Sequence, residues 1–251
     1  MSSTVRQGDT LVFVGDSLTA LGWMDEAVAD IQAAIPQRYV GAASVSDGTR
    51  GSVVGTPGTF TPIPYDAIVA VNSGVGQNRV ANIEADITGR ILQYGPTHVI
   101  VEVGRNDVNP PVAPFTPTTL VAFRASLDNI LDTVLAADPT ISITCLSIFT
   151  SGELWITSGG QPAWNNYFDP TPGSSYTPSI AEFDAQIQAS CVAHGGTYID
   201  LRGPALAYEA IHNVPEPGTA TGTLTVDGTH PNAAGETMMS DLYMATVTVV
   251  P

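Results

Sequence analysis

Five short apolar runs, at residues 11–14, 67–71, 99–103, 141–148 and 197–201, recur along this chain with helix-patterned stretches between them. Runs with little polar alternation suit strands buried on both faces, and such strands belong to parallel sheets covered by helices on either side. Met24, Ala27, Val28, Ile31 and Ile35 fall at helical spacing, and Pro36 ends that stretch. Val80, Ile83, Ile87 and Ile91 mark a second helix, and Leu120, Phe123, Leu127, Ile130, Leu131 and Val134 a long third one. Ile180, Phe183, Ile187 and Cys191 mark a fourth, stopped by Gly195-Gly196. A last helix starts near Asn232 and carries Met238, Met239, Leu242 and Tyr243. The pattern predicts an α/β fold of three layers, α/β/α, around a central, mainly parallel five-stranded sheet, in one domain over residues 1–251. Stretches near 41–65, 149–178 and 203–226 break the rhythm and read as loop insertions. The second of them holds Trp155, Trp164, Tyr167, Phe168 and Tyr176, flat side chains that suit a binding loop.

Composition removes several classes of function. The net charge of −16 repels phosphate backbones and anionic lipid surfaces, so neither nucleic acid nor such a membrane is an expected partner. All eight basic residues are Arg, which excludes a P-loop lysine and a Schiff base. Two cysteines, Cys145 and Cys191, are too few for a disulfide framework and read as buried thiols. No Cys/His cluster has zinc-ligand spacing, so no metal or other cofactor is expected. No segment approaches the ~18–20 apolar residues of a membrane span. Met1 to Val5 runs almost straight into the first strand without a signal peptide, so the expected location is the cytoplasm, or export by trimming or another route.

In an open parallel sheet, ligands bind at the carboxyl ends of the strands. Gly15-Asp16-Ser17-Leu18 follows the first strand, Asn72-Ser73-Gly74-Val75-Gly76 the second and Gly104-Arg105-Asn106-Asp107 the third. A serine hydroxyl is a weak nucleophile and needs a base within reach. Of four histidines, His98 starts a strand at the opposite end of the sheet, His194 ends a helix, and His212 lies in a loop. His230, in Asp227-Gly228-Thr229-His230-Pro231, has an acid three residues before it that can fix its tautomer and leave Nε2 for a serine. Attack on an ester creates an oxyanion; the N–H of Gly74 and the side-chain amide of Asn106 are candidate donors.

These four segments resemble the blocks of the GDSL, or SGNH, hydrolase family. The resemblance implies Ser17 as nucleophile, Asp227 and His230 as its partners, an oxyanion hole of Ser17, Gly74 and Asn106, and metal-free ester hydrolysis through an acyl-enzyme. Asp16 and Asp107 are the supporting acids of the first and third blocks. The second block departs from the family, with Gln77 where a further glycine is usual, and the 41–65 insertion lengthens the gap from Ser17 to Gly74. Arg105 stands where Thr is frequent; it is expected to point to solvent, with the cleft as the alternative. The nucleophile elbow Gly-x-Ser-x-Gly is absent at Ser17, which argues against a deep-tunnel lipase. The expected substrates are short acyl or acetyl esters, small molecules or carbohydrate-borne, with Arg105, Trp155, Trp164 and Tyr167 as candidate contacts. A thioesterase or acyl transferase with the same residues, and a non-catalytic binding or structural module on the same scaffold, are the alternatives.

Overall fold

The computed structural model describes residues 3–35, 40–44, 67–108, 117–149, 179–212, 224–225 and 230–250. The five expected strands are present: β2 (Thr10–Gly15), β4 (Ile68–Gly74), β5 (His98–Glu102), β6 (Ser142–Leu146) and β7 (Thr197–Ile199). They lie in one parallel sheet of order β3-β4-β2-β5-β6-β7, with β3 (Val40–Ser44) added at the edge. This sixth strand falls in a stretch expected to be a loop. Its Gly41-Ala42-Ala43 lacks the large apolar residues by which a strand is recognised in sequence. A short parallel pair joins β1 (Ser3–Val5) to β8 (Val247–Val249), bringing the two ends of the described chain together.

Successive residues of each strand feed opposite layers, as the two-residue period of a strand requires. Val14, Val99, Val101, Ile143 and Cys145 pack with Val80 and Ile83 of α3 (Val80–Glu84), Ile87 of α4 (Ile87–Arg90), Phe123 and Leu127 of α6 (Leu120–Ala137), and Ile187 of α7 (Ile180–Ala193). Leu11, Phe13, Ile68, Ile100 and Leu146 pack on the other side. There they meet Leu18 of α1 (Ser17–Ala20), α2 (Trp23–Ala34), Ala205 of α8 (Arg202–His212) and α9 (Ala233–Met244). A three-ring edge-to-face cluster of Phe13, Trp23 and Tyr243, with centroids 5.4–5.9 Å apart, ties β2 to α2 and α9. Such pairs contribute about 0.5–1.5 kcal/mol each beyond their buried area. Cys145 and Cys191 are both buried and unbridged, and their thiols face each other between β6 and α7.

Two helical expectations change. The single helix expected over residues 80–91 is two short ones, because Asp86 accepts a hydrogen bond from the Gly89 N–H at 3.0 Å and starts α4 afresh. Its four apolar markers still enter the core. Residues 202–212, expected within a loop, form α8, so His212 ends a helix rather than lying in a loop. Gly203-Pro204 reads as a chain breaker, but proline is tolerated in a helix's first turn, where its missing N–H has no partner to lose. Apart from Phe149, Leu224 and Thr225, the remainder of the three expected insertions, residues 45–65, 150–178, 213–223 and 226, lies outside the described residues.

Candidate active site

Ser17 stands where β2 ends and α1 begins. The chain turns there because Asp16 caps α1, its Oδ1 accepting from the Leu18 N–H at 2.9 Å. Gly15 permits a close approach. A Cβ on it would lie 2.0 Å from the Glu102 carbonyl oxygen and 2.1 Å from Thr19 Oγ1.

His230 reaches the same point from the far end of the chain. Thr225 and Pro231 form an antiparallel bridge, and the Asn232 N–H donates to the Leu224 carbonyl at 2.9 Å. Asn232 then caps α9 by accepting from the Gly235 N–H at 3.1 Å. Held between bridge and cap, His230 places Nε2 3.0 Å from Ser17 Oγ, although 213 residues separate them in sequence. Asp227 lies outside the described residues, as do Trp155, Trp164 and Tyr167.

The second and third blocks lock onto the first. Asn72 donates to the Thr19 carbonyl at 3.0 Å, and the Val75 N–H donates to the Gly15 carbonyl at 3.1 Å. Asn106 donates from Nδ2 to the Asn78 carbonyl at 3.0 Å, which fixes the plane of its amide and leaves the second Nδ2 hydrogen for another acceptor. Asp107 accepts from the Val80 N–H at 2.9 Å and the Thr118 hydroxyl at 2.7 Å, pinning the start of α3 and the loop before α6. Burial pushes the Asp107 carboxyl up to about 6, against the pull of those two donors.

Two expectations are corrected. The Gly74 N–H, expected to face the oxyanion, donates instead to Asn72 Oδ1 at 2.9 Å. Glycine is needed there for packing: a Cβ would lie 2.5 Å from the Ala20 backbone nitrogen, so α1 sits directly on β4. Arg105 does not point to solvent; only 3% of it is exposed. It lies in the short helix α5 (Arg105–Val108), close enough to Asp16 for its charge to pull that carboxyl down. An Arg so covered has little surface to offer a substrate. Burial still dominates and pushes Asp16 up to about 7.

Sequence reasoning gave no role to Asn72, Glu102, Thr19 or Gln77, although Asn72 and Gln77 stand in the second block. Gln77 follows Val75 and Gly76 in a turn closed by the Asn78 N–H on the Val75 carbonyl, and its φ of 68° is left-handed, a conformation usually left to glycine. The missing family glycine at Gln77 was the available signal. Glu102 was visible as the one acid in an apolar run.

At the opposite edge of the sheet, His98 lies 3.0 Å from Ser3 Oγ through Nδ1 and 3.1 Å from Asp9 Oδ2 through Nε2. This is a second Ser-His-Asp chain, but Ser3 is 6% exposed and sits in β1. The contact joins β1 to β5 and gives a substrate no approach. His194 caps the end of α7, with Nε2 3.1 Å from Asp132.

The sequence model of the GDSL-like lipase/acylhydrolase family matches residues 13–238. No curated protein matches the sequence. Among solved structures, the chain is similar to the acetyl xylan esterase AlAXEase at 19% identity, over 94% of this chain and 98% of that one, with a TM-score of 0.64. It is similar to LAE5, an alpha/beta hydrolase enzyme from the metagenome of Lake Arreo, Spain, at 17% identity, over 96% of both chains, with a TM-score of 0.65. It is also similar to Axe2, an acetylxylan esterase from Geobacillus stearothermophilus, at 17% identity, over 96% of this chain and 95% of that one, with a TM-score of 0.65. At these identities the likeness is one of fold. No helix among the described residues is long and apolar enough to cross a membrane.

Proposed function

Because this chain belongs to the GDSL-like lipase/acylhydrolase family, we propose that it is a serine esterase that acts through an acyl-enzyme. One contact supports this most: Ser17 Oγ lies 3.0 Å from His230 Nε2, within reach for proton transfer. Ser17 attacks the acyl carbonyl as His230 takes its proton. His230 then protonates the leaving alcohol, and water, activated by the same imidazole, releases the acid. Asp227 is assigned the task of orienting His230. The oxyanion is held by the Ser17 N–H and the free Nδ2 hydrogen of Asn106. The backbone donor of the second block passes from Gly74 to the turn at 75–78. That turn is tied at one end to the Gly15 carbonyl and at the other to Asn106, and its Gln77 N–H takes this role.

Replacing Asn106 by Ala is expected to lower kcat by about 10²–10³-fold with little change in KM, because the lost donor acts on charge that exists only in the transition state. Steady-state kinetics on p-nitrophenyl acetate measure this. An unchanged kcat would remove Asn106 from the oxyanion hole.

The proposed substrates are acetyl and other short acyl esters, carbohydrate-borne ones among them. Two proteins of the same fold are acetyl xylan esterases, and Trp155, Trp164 and Tyr167 supply rings suited to sugar faces. The test compares p-nitrophenyl acetate, butyrate and octanoate, acetylated xylo-oligosaccharides and a matched thioester. The expected order of kcat/KM falls from acetate to octanoate, with release of acetate from the oligosaccharide. A rise with chain length would overturn the short-acyl reading, and a preference for the thioester would favour a thioesterase or acyl transferase.

A further inference from the structure

Beneath the nucleophile turn lies an acid that the mechanism above does not use. Glu102 ends β5, in register opposite Gly15 of β2 on one side and Leu146 of β6 on the other. It is 1% exposed. The Thr19 hydroxyl donates to its Oε2 at 2.9 Å, while Oε1 is buried without a hydrogen-bond partner. Thr19 is two residues beyond Ser17, in the same single turn of helix. Asp16, the cap of that turn, is also fully buried, and its Oδ2 likewise lacks a hydrogen-bond partner. Both carboxyls are thus buried, close enough for the Asp16 charge to act on Glu102, and each has an oxygen without a hydrogen-bond partner.

We propose that Glu102 is a positioning residue for Ser17: its uncharged carboxyl holds the Thr19 hydroxyl and so fixes the turn that presents the nucleophile. This rests on the serine esterase reading. The chemistry favours Glu102 as the neutral member of the pair. Asp16 has a backbone donor in Leu18 and the nearby Arg105 cation to hold its negative charge, opposed by Asp107. Glu102 has no such cation; burial, and then the Asp16 charge, push its carboxyl well above the usual range, against the pull of the Thr19 hydroxyl and backbone N–H. A protonated Glu102 keeps Oε2 as the acceptor for Thr19. Ionising it would place a second negative charge against Asp16 with no cation of its own, and α1 would have to shift to let water in. The folded state holds this proton more tightly than the unfolded chain does. Stability from Glu102 is therefore complete at acidic pH and is lost as pH rises through the raised value.

The experiment compares the wild type with Glu102→Gln and Glu102→Ala. It follows the pH profile of kcat on p-nitrophenyl acetate and the pH dependence of Tm. Glutamine reproduces the neutral acid's shape and cannot ionise. Glu102→Gln is expected to retain most of the neutral-pH kcat and to keep both activity and Tm at alkaline pH, where the wild type loses them. Glu102→Ala is expected to lose about 10²-fold in kcat with KM little changed, the effect of a displaced nucleophile. Coincident wild-type and Gln profiles in both measurements, or a Gln variant as poor as Ala, would overturn the proposal. If the wild type hydrolyses no ester, the esterase reading fails separately, and the Tm profiles alone decide whether Glu102 is held neutral.

Discussion

Ser17→Ala is expected to lower kcat on p-nitrophenyl acetate by about 10⁴–10⁶-fold, the scale on which serine hydrolases lose activity with their nucleophile. The fold should be untouched. Ser17 is only partly buried, and the turn it occupies is held by Asp16 on the Leu18 N–H and by Asn72 on the Thr19 carbonyl, not by its own hydroxyl. Substitutions of that kind stay within about ±0.5 kcal/mol in stability. An unchanged circular dichroism melt beside a collapsed kcat would therefore separate lost chemistry from lost structure. The residual rate would come from the proposed oxyanion donors, which the substitution does not touch.

His230→Ala is expected to cost about as much, on the order of 10⁴–10⁶-fold in kcat, and the double variant Ser17→Ala, His230→Ala should be no worse than either single one. A base without its nucleophile, or the reverse, has nothing left to lose. The local backbone should survive the change, because the Thr225–Pro231 bridge and the Asn232 cap do not use the imidazole. Losses that add between the two variants would mean that the 3.0 Å contact is not the catalytic one.

The layers and the position of the candidate serine were legible in the sequence because both follow from short-range patterns. Apolar runs and helical spacing located five strands, and the sheet's carboxyl edge gathered Ser17, the second block and Asn106 without knowledge of contacts. Elements without a large apolar signature escaped. The edge strand of Val40–Ser44 is built on glycine and alanine, and α8 carries in its first turn a Gly-Pro pair that reads as a break. The assignments that changed inside the site turn on which partner a group chooses. Gly74 gives its N–H to a side chain two residues earlier, and its missing Cβ serves the packing of α1. Arg105 reads as a surface residue by type, yet it is buried with its charge close enough to act on the Asp16 carboxyl. Glu102 and Thr19 are 83 residues apart, and no spacing rule connects them.

The most direct measurement of the central claim is intact-mass and peptide mass spectrometry after treatment with a fluorophosphonate, which traps an activated serine. The wild type should gain one phosphonyl group, on Ser17. Ser17→Ala should gain none, and His230→Ala should react far more slowly. Equal labelling of Ser17→Ala, or a label on Ser3 of the buried Ser3-His98-Asp9 chain, would show that the nucleophile is not the serine that meets His230.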